Sequence, residues 1–363
     1  MIADGHTNVG DSMKAKLIRT VAGCMAAAVL LSMRILAEPS VSARHAILLD
    51  GTTGRVLYEK DCHSAALIAS TTKIMTGLLI AEACDLDAKI CVPAEAVGVE
   101  GSSVHLKENE LLSVRTLLYG LMLHSGNDAA VALAMHAAGS VEGFAQKMNL
   151  RAEELGLKDT HYANPHGLDE EGHYSSAYDL GRLTAAAMEN DVFRQVVSTK
   201  TITLEDRTFT NHNKMLWRYE GAVGVKTGYT MSAGRVLVSA AERDGRRLIC
   251  VTIYDKNDWI DHARLLDFGF SSYSLQTLAH NGQVIGAVSV LNGAEEFAQA
   301  ITSEEVAYSI AQNESVELQA NLPAFVYAPI LAGDQAGTLS VLVNDVEVKR
   351  VPLCWRYSVF EEG

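Results

Sequence analysis

The chain has no C-x-x-C pair, and none of its six cysteines (Cys24, Cys62, Cys84, Cys91, Cys250 and Cys354) stands at metal-ligand spacing. The common thiolate zinc motifs and dithiol redox centres are therefore excluded. There is no internal repeat and no low-complexity tract, which excludes solenoids and compositionally biased tails. The N-terminal apolar run, residues 21–33, is 13 residues long, shorter than the roughly 20 that cross a bilayer comfortably. Basic residues are outnumbered, 30 Lys and Arg against 44 Asp and Glu, for a net charge of −14. A phosphate backbone is held by a basic footprint, so no nucleic acid is expected as a partner. Simple electrostatic docking on an anionic lipid surface is disfavoured for the same reason.

What is present is material for a full core. The 363 residues are 48% hydrophobic and 20% charged, enough for about two domains. Lys14, Lys16 and Arg19 precede the apolar run, the order expected of an export signal. Val41-Ser42-Ala43 supplies a small-residue cleavage site, with Ala37 as the alternative and Met13 as a candidate start. The protein is thus expected to be exported and extracytoplasmic, with residues 1–43 as signal. Their removal takes away four basic and three acidic residues and leaves −15. Cys84 and Cys91 are close enough to pair after export, but free buried thiols are expected for most of the cysteines.

Residues 45–50 and 55–59 read as strands around the turn Gly51-Thr52-Thr53-Gly54. A helix carrying Ser70 runs to about Ala83, and helical stretches follow at 111–119, 128–134, 144–155 and 178–188, the last being the final strong helix. Strands return at 201–204, around Lys226, at 235–240 and at 247–253. Strands at both ends with helices between them predict an α+β fold, one antiparallel sheet covered by helices. After about Ser272, short apolar runs at 284–290, 324–328, 338–343 and 346–351 alternate with Gly, Asn and Asp. These predict a small all-β C-terminal domain, 274–363, behind a catalytic domain of 44–273.

Ser70-Thr71-Thr72-Lys73 places a serine and a lysine one helical turn apart, so the amine can reach the hydroxyl. A serine becomes a nucleophile when a base takes its proton. Lys73 can be that base if burial and a second cation, with Lys226 the candidate, lower its pKa. Ser125-Gly126-Asn127 and Lys226-Thr227-Gly228 follow in order. Ser125 can relay a proton between Lys73 and a leaving amine, and Asn127 can hold a substrate amide. Lys226 and Thr227 suit a substrate carboxylate on an edge strand, and Gly228 permits close backbone approach. The N–H groups of Ser70 and Tyr229 would make an oxyanion hole. Each element alone has an ordinary structural reading: a helix-cap serine, a solvated lysine, a Ser-Gly-Asn turn. Their order is what carries the signal.

With these motifs, Asn164-Pro165-His166-Gly167-Leu168-Asp169 and Gly224-Val225-Lys226-Thr227-Gly228-Tyr229-Thr230, the chain resembles the low-molecular-mass penicillin-binding proteins, serine-type D-alanyl-D-alanine carboxypeptidases. The resemblance is strong over 46–273. Ala328-Pro329-Ile330 with Gly333, Asp334 and Gly337 looks like the family's β-rich C-terminal domain. It implies attack by Ser70 on the penultimate carbonyl of a peptidoglycan stem ending in D-Ala-D-Ala, release of D-alanine, and hydrolysis of the acyl-enzyme. β-Lactams would acylate the same serine. No metal or organic cofactor is implied. The family usually ends with an amphipathic anchor helix after the β domain; this chain stops at Phe360-Glu361-Glu362-Gly363 with no such helix, so release, or membrane association through an uncleaved N-terminus, is expected instead. A β-lactamase is the first alternative; Gly126 and the missing E-x-x-L-N loop speak against it. A β-lactam-binding sensor or structural wall protein is the second. His161, His166 and His173 cross a turn-rich loop and are not expected to bind metal. A Ser-His-Asp set through His262 and Asp255 is not expected either, because Lys73 supplies the base.

Overall fold

The structure, a computed structural model, describes residues 38–363. The proposed signal sequence up to residue 37 lies outside the described residues. Residues 39–363 form one compact unit.

Five strands build the catalytic sheet. β1 (His45–Asp50) and β2 (Val56–Lys60) are the expected hairpin. Two small antiparallel pairs follow outside the sheet, β3 (Lys89–Cys91) with β4 (Leu111–Ser113), and β5 (Thr201–Leu204) with β6 (Arg207–Thr210). β7 (Ala222–Thr230), β8 (Gly234–Arg243) and β9 (Arg246–Ile253) complete the sheet in the order β2-β1-β9-β8-β7. Every neighbouring pair is antiparallel. β7 is an edge strand, as expected.

Alternation explains why β1 and β9 are apolar throughout. Ile47, Leu49, Ile249 and Val251 face a large helical core, whereas Ala46, Leu48, Leu248 and Cys250 face a second one containing Leu265 and Leu266. With both faces covered, a strand reads as a continuous apolar run. Helices Lys73–Ala83, Val114–Leu123, Asn127–Ala138, Val141–Glu154, Ala177–Ala187 and Asp191–Ser198 fill the first side, and Asp258–Ser272 covers the second.

Two expectations are corrected. Residues 111–113 form a strand, and the helix begins at Val114, where Ser113 caps it by accepting from Thr116 N. The 178–188 helix is not the last strong one, since Asp191–Ser198 and the 15-residue Asp258–Ser272 follow it. None of the five described cysteines is in a disulfide, and Cys62 and Cys250 are buried.

The segment entering β1 is built into the fold. Val41 and Ala43 are buried. Lys60 Nζ donates to both of their carbonyls, at 3.1 and 2.7 Å. Ser42 Oγ donates to Asp255 and Asp261 at 2.7 and 2.8 Å.

The C-terminal part is all strand: β10 (Tyr273–Ala279), β11 (Val284–Leu291), β12 (Phe297–Thr302), β13 (Val306–Ala311), β14 (Val316–Asn321), β15 (Phe325–Tyr327), β16 (Gln335–Val343) and β17 (Val346–Trp355). β10 pairs with β13, and the others form a six-stranded sheet, β14-β16-β17-β12-β11-β15. Val288, Ala298, Leu339, Val341, Leu353 and Trp355 make its core. This part is fastened to the catalytic sheet through β1. Asp50 Oδ2 accepts from Arg246 Nε at 2.6 Å and from Ser309 Oγ at 2.5 Å. Arg55 meets Glu314 with two hydrogen bonds, 2.8 and 2.5 Å, and lies over the rings of Tyr273 and Tyr308.

Candidate active site

Ser70 sits in a 3-10 turn, Ala69–Thr72, that leads into the Lys73–Ala83 helix. Ala69 has φ +47°, a left-handed conformation that a non-glycine residue adopts only where its surroundings impose it. The turn is tied by Thr71 Oγ1 to Ile68 O at 2.6 Å and by Thr72 Oγ1 to Ala69 O at 2.9 Å.

Lys73 is wholly buried. Its Nζ donates to Ser70 Oγ at 2.9 Å, Asn127 Oδ1 at 2.7 Å and His166 O at 2.6 Å. Burial, then the charge of Lys226, holds its pKa well below the ordinary lysine value, while Asp128 pulls the other way. Across the cleft, Lys226 Nζ donates to Ser125 Oγ at 3.1 Å and Thr227 O at 2.9 Å. Lys226 is also buried, and desolvation brings it down to about 7. Two amines whose charged forms are both disfavoured thus bracket two serine hydroxyls.

The Ser125 turn is shaped for this. Ser125 has φ +64°, and the Asn127–Ala138 helix starts directly after it. Asn127 Nδ2 donates to Glu100 O at 2.6 Å, so this amide is engaged at both ends. Asp128 lies in the first turn, where a carboxylate is favoured, and accepts from Val104 N, Leu106 N and Ser103 Oγ. It anchors the loop that supplies the Glu100 carbonyl side of the cleft.

On β7, a Cβ at Gly228 would stand 3.1 Å from both Ile68 O and Ser70 N. Glycine is what lets the strand edge approach the Ser70 turn. Tyr229 is 63% exposed at the rim, and Thr230 Oγ1 donates to Asp169 at 2.9 Å.

The structure brings Ser70, Lys73 and Asn127 into one hydrogen-bonded set and Ser125 with Lys226 into a second, with Thr227, Gly228 and Tyr229 following Lys226 on the same strand. Sequence reasoning missed the third acceptor of Lys73, the His166 carbonyl, because a backbone contact leaves no side-chain signature. It also missed His173. Its Nδ1 accepts from Ala163 N at 3.1 Å, so Nε2 carries the proton toward Thr72 Oγ1 at 2.7 Å. Burial keeps this ring neutral, its pKa down at about 4. Asn164 organises the loop between them, accepting from Gly167 N at 2.7 Å and donating to Glu170 at 2.8 Å. His161 is taken up by Gly172 O at 2.6 Å, so the three histidines serve the loop separately. His262 bonds Ser239 Oγ and Thr252 Oγ1, at 2.6 and 2.9 Å, under the Asp258–Ser272 helix.

A buried lysine against a serine, together with a second lysine–serine pair, is the arrangement of serine acyl-transfer enzymes. Comparison with known proteins narrows this. Residues 33–257 match the D-alanyl-D-alanine carboxypeptidase family and residues 273–359 the penicillin-binding protein 5 C-terminal domain. The chain is 36% identical to D-alanyl-D-alanine carboxypeptidase DacF of Bacillus subtilis over 329 residues, covering 86% of this chain and 84% of that protein. It is 34% identical to DacD of Escherichia coli, covering 89% and 88%. Among solved structures, penicillin-binding protein 5 of Haemophilus influenzae superposes with a TM-score of 0.81 at 26% identity, over 90% of this chain and all of that one. Penicillin-binding protein 6B of Escherichia coli superposes at 0.70 and 30% identity, over 88% and 98%. The chain belongs to the D-alanyl-D-alanine carboxypeptidase family of serine peptidases.

Proposed function

We propose that Ser70 is the nucleophile, Lys73 its base and Ser125 the hydroxyl through which the leaving amine is protonated, in the removal of the terminal D-alanine from peptidoglycan pentapeptide stems. The observation that carries this reading is the buried Lys73 amine, 2.9 Å from Ser70 Oγ and without a carboxylate among its three partners. A lysine so placed favours its neutral form, which can accept the serine proton.

The steps follow the geometry. An extended D-Ala-D-Ala end lies along the free edge of β7, its carboxylate toward Lys226 and Thr227. Ser70 Oγ attacks the penultimate carbonyl, its proton passes to Lys73, and the oxyanion is held by the N–H groups of Ser70 and Tyr229. The C–N bond breaks, and the amine leaves as D-alanine with the proton that Lys73 received, passed on through Ser125, so that Lys73 is neutral again. Water then attacks the ester, Lys73 takes its proton, and Ser70 is restored. Asn127, whose amide spans Lys73 and Glu100 O, holds the base in place as well as meeting the substrate. β-Lactams present a strained amide to the same serine and are expected to trap it as an ester.

The reading extends to location and organisation. We take the division into a catalytic part to residue 273 and a β-rich part from 274 as the working domain boundary, and the protein as exported to the cell envelope. The burial of Val41 and Ala43 and the bonds of Ser42 support signal cleavage after Ala37 over cleavage after Ala43.

The test is D-alanine release from a small peptide ending in D-Ala-D-Ala, comparing the parent with Ser70→Ala. Release by the parent alone supports the assignment. No release by either, with a fluorescent penicillin still attaching to Ser70 in the parent, would overturn it in favour of a sensor or structural wall protein.

A further inference from the structure

The end of β2 and the turn after it gather a glutamate, a cysteine and a histidine that take no part in the Ser70 cluster. Glu59 and His63 face solvent and Cys62 is 3% exposed. A carboxylate oxygen of Glu59, Cys62 Sγ and a ring nitrogen of His63 all lie within 4.8 Å of one another. The thiol already addresses the carboxylate, Sγ–H donating to Glu59 Oε2 at 3.7 Å. A tetrahedral zinc ion binds sulfur at about 2.3 Å and nitrogen or oxygen at about 2.0–2.1 Å, which sets its ligand atoms roughly 3.3–3.6 Å apart. The Glu59–Cys62 edge is therefore near its bound length, and only exposed side-chain ends need to close.

Two further contacts prepare the set. His63 Nδ1 stands 3.6 Å from Asp159 Oδ2, the kind of outer carboxylate that orients a ligating imidazole, and its ring packs on Tyr178 at 4.5 Å. The Cys62 backbone is fixed by its carbonyl, which accepts from Tyr178 N at 2.9 Å. Without a cation, thiol and carboxylate are poor neighbours: burial and then the Glu59 charge push the thiol up to about 11.

We propose that Glu59, Cys62 and His63 form a structural site for a borderline-soft divalent cation, zinc foremost, with water in the fourth position. Binding replaces the Cys62 proton, which leaves to solvent, so affinity rises with pH. The site sits where a clamp would matter. Four residues on, Ala66 exchanges two backbone hydrogen bonds with Ser175, at 2.9 and 3.1 Å, and Ser70 follows. The ion would tie β2, the approach to the nucleophile and the start of the Ala177–Ala187 helix together.

The test is a Co2+ titration of the reduced full chain, read by absorption and displaced with Zn2+, on the parent, Cys62→Ser and His63→Ala, with circular dichroism to verify folding. The parent should take up one Co2+ with a thiolate-to-cobalt charge-transfer band. The band should be missing in Cys62→Ser and its midpoint shifted at least about tenfold in His63→Ala, and Zn2+ should raise the Tm of the parent alone. A parent without the band, a band unchanged in Cys62→Ser, or a midpoint unchanged in His63→Ala would each overturn the site.

Discussion

Replacing Gly167 by alanine drives a methyl group into the turn that carries Ser70. A Cβ there would lie 2.0 Å from Ala69 O, 2.5 Å from Ala69 C and 2.7 Å from Thr72 Oγ1, at a φ of +88°. Carbon contacts are comfortable at roughly 3.5 Å, so the two segments must part by more than about 1 Å. The left-handed backbone costs alanine about 1–2 kcal/mol, and overpacking adds about 1–3 kcal/mol. Gly156→Ala is the matched control, because its φ is +68° and nothing lies within 4 Å; it carries the backbone cost alone. At about 2–4 °C per kcal/mol, Gly156→Ala should lower Tm by a few degrees and Gly167→Ala by on the order of 10 °C. Misplacing Ser70, the proposed nucleophile, by about 1 Å should also slow acylation on the order of 100-fold, whereas Gly156→Ala leaves it unchanged. Thermal unfolding and acylation by a fluorescent penicillin read the two effects. Equal Tm losses with parental acylation in both variants would refute the argument that Gly167 is fitted to the Ser70 turn.

Three other outcomes are expected. In the proposed mechanism Lys73 reacts as the neutral amine, and burial with the charge of Lys226 lowers its pKa well below the ordinary lysine value. Acylation should rise with pH through a midpoint well below the ordinary lysine value and be lost as pH falls; a rise only above about pH 10 would return Lys73 to ordinary behaviour. His173, at about 4 in the folded protein against 6.5 for a free imidazole, leaves the unfolded chain binding more protons between those values. Tm should therefore fall as pH drops from about 6.5 to 4, and fall less steeply in His173→Gln; parallel profiles would exclude the histidine as a source. Glu314→Gln leaves the half-buried Arg55 without its ion partner, a loss of roughly 3 kcal/mol. Limited proteolysis near Tyr273 should accelerate while D-alanine release from a small peptide stays at the parental rate, and an unchanged cleavage pattern would count against the fastening.

What the sequence disclosed was set by how local its signals are. Ser70 and Lys73 are one turn apart, so their pairing is local, whereas the contact of Lys226 with Ser125 joins two motifs remote in sequence and was not read from it. The β1–β2 hairpin is equally local. The Asp258–Ser272 helix was hidden because its buried face carries Asp258, Asp261 and His262. Their partners come from elsewhere: Arg235 for Asp258, Ser42 for Asp261, and Ser239 with Thr252 for His262. A buried polar face breaks the apolar period on which a helix is recognised. Leu111–Ser113 merged with the helix behind it because its partner strand, Lys89–Cys91, is remote in sequence. Strand β14 went unseen for a different reason: all six of its residues are half-exposed or exposed, so it offers little hydrophobic signal.

The edge of β7, unpaired among the described residues, decides by conformation before it decides by chemistry. It offers one strand's width of backbone donors and acceptors beside the Ser70 turn, and any extended chain can zip onto it. A helix or a folded domain cannot, because its own backbone groups are already engaged. Flexible peptide stems therefore pass such a filter, while the compact proteins that share the same compartment are spared, whatever residues they end in. In the proposed binding mode, Lys226 and Thr227 then need only distinguish among chains that are already straight.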